Sequence, residues 1–241
     1  MITNNKELFK KWIEVSHCIY NVCEKRGGIY PILRKWVKEW FDSGEFNVSE
    51  DNKKNLEDWE TTLLENWESI FDDNLKNRKN TPDDNLKSKF TDLLNQLKQN
   101  SKIKNNIGFA IAPYLFTWNI KRFKKYFKEN SNFDLNNYFN SLGKFLAENK
   151  KELKKWKYKK IIEEPQIKDD EIIELFNQVN DKLKCINENE GVGTTKVLHI
   201  LAPYYFPLLD RNFARELLDM KNNKQSFTPK DYCNWMHKLQ N

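Results

Sequence analysis

Apolar residues in this sequence recur three and four positions apart, segment after segment, and no stretch alternates them with polar ones. That spacing lines one face of an α-helix, whereas a strand buried on one side needs a period of two. The chain is therefore expected to be all-α. Leu8, Trp12, Val15, Ile19 and Val22 stripe a first helix over residues 7–24, which Gly27 and Gly28 break. Tyr30 and Pro31 open a second, with Ile32, Leu33, Trp36, Val37, Trp40 and Phe41 inward, and Asp42, Ser43 and Gly44 end it. A third, in the acidic stretch 45–73, would bury Trp59, Leu63, Leu64, Trp67, Ile70 and Phe71. The polar residues 74–84 form a loop before an amphipathic helix that carries Phe90, Leu93, Leu94 and Leu97. Residues 108–127 predict a central buried helix, with Pro113 near its start or kinking it. One or two helices follow over 133–158, Pro165 marks a linker, and 169–183 reads as an amphipathic helix. A last helix starts at Thr228 and Pro229 and buries Tyr232, Trp235, Met236 and Leu239.

The 241 residues suffice for one helical unit with two lobes, expected over 1–105 and 106–241. A formal charge of +6 suits a polyanionic partner without requiring one. Lys121, Arg122, Lys124, Lys125 and Lys128 either complement a helix C-terminus or face phosphate. The densest basic cluster is Lys150, Lys151, Lys154, Lys155, Lys157, Lys159 and Lys160, with Trp156 and Tyr158 among them as core or as stacking surfaces. Nothing is long and apolar enough to span a bilayer, and the polar start has no secretory core, so a cytoplasmic chain is expected. Cys18, Cys23, Cys185 and Cys233 form no CxxC pair and no close cluster with His17, His199 or His237. Reduced thiols are expected rather than a metal site, and no cofactor.

Residues 190–215, EGVGTTKVLHILAPYYFPLLDRNFAR, carry the chemistry. Gly191, Val192 and Gly193 read as a tight turn. Thr194 and Thr195 can cap the helix that follows. Val197, Leu198, Ile200 and Leu201 give that helix an apolar face, which stops at Pro203. After Tyr204, Tyr205, Phe206 and Pro207, a single acid, Asp210, stands among Leu208, Leu209, Phe213 and Ala214 where another helix starts.

This order of glycine turn, helix, loop and carboxylate resembles the core of the helix-hairpin-helix DNA glycosylases. Phe213 and Arg215, three and five positions after the acid, match that family's pattern. The resemblance implies a two-lobed helical fold acting as a monomer on DNA. Gly191, Val192, Gly193, Thr194 and Thr195 would grip a phosphate through the glycine turn and the helix N-terminus, and Arg215 would also contact DNA. One nucleotide would be extruded into a pocket. Asp210 would stabilise the oxocarbenium-like sugar as the base leaves and activate water. Members that also nick DNA attack the sugar with a lysine two positions after the second glycine. Thr195 stands there, and Lys196 comes one place later, rotated by about 100° on a helix. Water is thus the expected nucleophile, with Lys196 the alternative if the shortened segment before Asp210 realigns it. Many relatives hold an iron–sulfur cluster with four cysteines after the catalytic segment; only Cys233 lies there, so none is expected. The unfamiliar N-terminal half points to an unusual base, such as a hypermodified base of phage DNA, and to antiviral defence. Two other readings stand beside this one: a non-catalytic DNA-binding module in which Asp210 only caps a helix, and a helical adaptor for other proteins.

Overall fold

A computed structural model of the chain describes residues 29–65, 83–99, 105–129, 133–184, 190–209 and 228–240. The helices expected over 7–24 and after Asp210 lie outside the described residues, as does the loop expected over 74–84 as far as residue 82; Asp83 and Asp84 begin a helix instead. Within them the protein is all-α. Nine helices are present: α1 (Ile29–Ser43), α2 (Glu50–Glu65), α3 (Asp83–Gln99), α4 (Ile107–Glu129), α5 (Leu135–Glu148), α6 (Lys150–Lys157), α7 (Asp169–Leu183), α8 (Gly191–Leu201) and α9 (Pro229–Gln240). The chain divides into two compact units, with the boundary between residues 147 and 148. The lobes expected from sequence were instead divided at 105/106, at the start of α4.

In the unit that ends at 147, α4 packs on both α1 and α3, and α2 packs on α1. These contacts hold α4 together with the helices before it, which is why the boundary falls later. Ile32, Leu33, Trp36, Val37, Trp40 and Phe41 are buried on α1, as their stripe requires. The helix ends where Gly44 takes φ 93°, the left-handed conformation of a helix C-cap that glycine adopts at little cost. An aromatic ladder runs through the core. Phe90 stacks on Phe116 at 4.0 Å, Phe116 on Phe123 at 5.1 Å, and Trp59 meets Phe90 edge-on at 5.8 Å. Pro113 lies inside α4. Of the basic residues near the end of α4, Lys125 is exposed; the side chains of Lys121, Arg122, Lys124 and Lys128 lie outside the described set. Asn106 caps α4 by accepting the Gly108 N–H on its Oδ1 at 3.1 Å, and its amide donates to Asn140 of α5 at 2.7 Å.

In the other unit α7 packs on both α8 and α9. Ile172, Phe176, Val179 and Leu183 are its buried stripe. The start of α9 is a reciprocal cap: the Asp231 N–H donates to Thr228 Oγ1 at 3.1 Å, and the Thr228 N–H donates to Asp231 Oδ2 at 2.9 Å. Trp156 is buried with Leu153 on α6, so it belongs to the core, whereas Tyr158 is exposed. No helix among the described residues is long and apolar enough to cross a membrane.

Candidate functional site

The glycine-rich motif departs from its expected form. α8 begins at Gly191, so Gly191, Val192 and Gly193 are its first turn and not a loop before it. Both glycines have ordinary helical backbone: the described glycine with positive φ is Gly44 alone. The chain connection lies one step earlier, between α7 and Glu190. Asn180 of α7 closes it, accepting the Glu190 N–H on Oδ1 at 2.8 Å, while its own carbonyl accepts the Lys184 N–H at 2.8 Å. α7 and α8 pack on each other and the second starts at the first glycine, while residues 185–189 between them lie outside the described residues.

Thr194 and Thr195 do not cap this helix. Glu190 is at the N-cap position, with no side-chain cap hydrogen bond, and the Thr194 N–H already bonds the Glu190 carbonyl at 2.8 Å. The N–H groups of residues 191–193 precede that first intrahelical bond, so the helix itself offers them no acceptor. No acidic residue occupies this first turn, but the N-cap residue Glu190 is itself acidic and is 2% exposed. Gly191 and Gly193 are buried and Val192 is half-buried. The Thr194 hydroxyl is buried without a hydrogen-bond partner among the described residues. Lys196 is 3% exposed, inside the protein rather than on a phosphate-facing rim.

Side chains from two helices hold the residues that lead into Asp210. Phe206, Pro207 and Leu209 each present a backbone carbonyl to a side chain from α8 or α9. His199 Nδ1 lies 2.9 Å from the Phe206 oxygen, which requires the tautomer with hydrogen on Nδ1. The Tyr232 hydroxyl donates to the Pro207 oxygen at 2.8 Å. The Thr195 hydroxyl lies 3.3 Å from the Leu209 oxygen and 3.0 Å from the Val192 oxygen, and shares its one hydrogen between them. Burial pushes the Tyr232 hydroxyl well above its ordinary ionisation range, so it stays a neutral donor. The segment's aromatics are packed too: Trp156 meets Tyr205 at 4.7 Å and Phe206 at 5.5 Å. Asp210, Phe213 and Arg215 themselves lie outside the described residues.

No protein-family model, characterised protein or solved structure matches this chain. Its chemistry has to come from its own residues. Asn180 and Tyr232, which fix the two ends of the motif, carried no functional signal in the sequence. Tyr232 sits on an apolar stripe and reads as core, and Asn180 is one of many asparagines. His199 is a hydrogen-bonded packing residue, through its bond to the Phe206 carbonyl. Cys18, Cys23 and Cys185 lie outside the described residues. Cys233 is buried on α9, and burial pushes its thiol up to about 12. No group of three His, Cys, Asp or Glu side chains suited to a metal occurs among the described residues.

Proposed function

We propose that this protein is a DNA glycosylase of the helix-hairpin-helix kind, which uses water to release a damaged or modified base. The observation that carries the reading is the triple tether on residues 206–209. A carboxylate that stabilises a transient charge has to be held within about half an ångström of its working position. Three side-chain bonds to the residues just before Asp210 supply an approach of that rigidity. The same Thr195 hydroxyl touches both the first turn of α8 and the Leu209 carbonyl, so one residue couples the start of α8 to the chain entering Asp210.

The chemistry follows from charge. As the bond from the sugar C1′ to the base nitrogen breaks, its electron pair leaves with the base and the sugar turns cationic. Asp210 as carboxylate stabilises that cation and orients a water, whose oxygen bonds C1′ while its proton ends on the departing base. The first turn of α8 grips a phosphate through backbone N–H groups, which fixes the DNA without reading its sequence. Burial of Lys196 favours water over lysine as nucleophile. The long N-terminal half, which lies outside the motif, suits an unusual base, and a modified base of phage DNA, removed in antiviral defence, is the proposed target.

Abasic-site formation on a panel of DNAs, including phage genomes with modified cytosines, tests this. Wild type should release base from at least one, and Asp210→Asn should lower the rate about a hundredfold or more while binding persists. Equal binding by both proteins with no base released would leave only a DNA-binding module. A covalent complex trapped by borohydride, lost in Lys196→Gln, would replace water by lysine.

A further inference from the structure

Two tyrosines are the exposed large apolar residues of the described chain, Tyr158 at 69% and Tyr204 at 48%. They belong to one neighbourhood. The Ile161 N–H donates to the Tyr204 carbonyl at 3.0 Å, which ties the turn after Tyr158 to the segment bearing Tyr204. Their chain neighbours Trp156 and Tyr205 are buried and pack ring to ring at 4.7 Å, which joins the two segments that carry the exposed tyrosines. Lys157 Nζ sits 4.9 Å from the centre of the Tyr158 ring.

The surrounding charge is concentrated. Residues 150–160 hold seven lysines and one glutamate, a net +6, which equals the formal charge of the whole chain; all other residues together sum to zero. Part of this charge is answered locally, by Lys155 with Glu152 and Glu171, Lys159 with Glu164, and Lys160 with Glu163. Lys151 and Lys154 are exposed and pair with no carboxylate among the described residues. A surface of this composition fits few partners. An acidic peptide supplies anions for the lysines but no flat face for each ring. A duplex supplies phosphates but keeps its bases stacked on one another. A single strand supplies both along one chain, because every base has a π-face and every nucleotide a phosphate.

We infer that Tyr158 and Tyr204, with Lys151, Lys154 and Lys157, form a stacking platform for a single-stranded segment of DNA. The choice of DNA rests on the proposed function; the platform rests on the exposed rings and the charge. Tyr204 lies just before the first tethered carbonyl, that of Phe206, so the platform adjoins in sequence the segment that leads to Asp210.

Fluorescence anisotropy of the full chain with labelled oligothymidine tests it. Tyr158→Ala and Tyr204→Ala should each weaken binding about fivefold to a hundredfold, as loss of one base stack does. Phenylalanine at either position should restore it to within about twofold, because the ring and not the hydroxyl does the stacking. Both residues are exposed, so denaturation midpoints should not move. Oligothymidine binding unchanged in the double alanine variant, an equal loss on polyglutamate, or tighter binding of oligouridine would each overturn the assignment. The two proposals fail separately. Ring-dependent binding without any base release leaves the platform and removes the glycosylase, and base release with ring-independent binding does the reverse.

Discussion

At Gly108 a single methyl group decides how α4 and α5 meet. A Cβ built there runs into the backbone carbonyl of Phe139, and lies 2.6 Å from the Gly143 nitrogen and 2.8 Å from its Cα. None of these atoms can rotate away. A Cβ at Gly143 instead meets the Asn106 side-chain amide, and lies 3.0 Å from the Gly108 nitrogen. That amide can turn, at the cost of the α4 cap and its bond to Asn140. The two substitutions should therefore rank. Gly108→Ala should destabilise the protein by roughly 3 kcal/mol, the upper end of overpacking costs. Gly143→Ala should cost about 1 kcal/mol, near the loss of an N-cap, and Asn106→Ala should cost about the same. Denaturant unfolding of the three variants checks the order, and a reversed ranking would mean that the helices separate instead of clashing.

Among the helices, α9 was the most legible in the sequence and α8 the least, and the difference is physical. Thr228, Pro229 and Asp231 write a cap in four consecutive residues, and the stripe from Tyr232 to Leu239 follows at once, so every signal for α9 is local. The start of α8 has no such signal. Glycine suits a turn and is tolerated in a helix's first turn, and the bond that settles it comes from Asn180, ten residues away. The tethers before Asp210 were hidden for the same reason: His199, Tyr232 and Thr195 were visible, but not the carbonyls they would meet. Trp156 and Tyr158 were not told apart in the sequence, and the structure separates them: Trp156 is buried with Leu153, three positions before it, and Tyr158 is exposed. Docking of α9 on α7 makes its own prediction through Cys233, whose sulfur lies 3.9 Å from the Asp169 carbonyl. Burial, with Asp169 and Asp170 adding to it, raises that thiol from 9.0 to about 12. Because the folded value is the higher one, the neutral thiol's contribution is complete below about pH 9 and is lost as pH rises towards 12. At pH 8, iodoacetamide should leave residue 233 unmodified in the native protein. Modification, followed by peptide mass spectrometry, should appear with denaturant at the unfolding midpoint. Complete labelling in native buffer would mean that α9 detaches.

For the molecule as a whole, the formal charge of +6 is spread over 41 basic and 35 acidic residues, yet its imbalance resides in residues 150–160. A uniformly basic protein would lose affinity for DNA by small steps whichever lysines were changed. Here Lys150, Lys151, Lys154 and Lys157 should carry a large share by themselves. Replacing all four by glutamine lowers the formal charge to +2, still positive, so general attraction to a polyanion survives. Counterion release provides the measure. Each phosphate contact on a single strand contributes about −0.7 to the slope of log affinity against log salt, so four contacts contribute about −3. Between about 50 and 200 mM salt, that portion amounts to roughly a fiftyfold fall in oligothymidine affinity, which wild type should show and the variant should lack. Gln at Lys35, Lys38, Lys87 and Lys89, in the unit that ends at residue 147, removes the same number of charges. If both quadruple variants flatten the slope alike, the attraction belongs to net charge and not to the lysine-rich helix. If only the first does, the partner's phosphates lie along α6, beside the two exposed tyrosines.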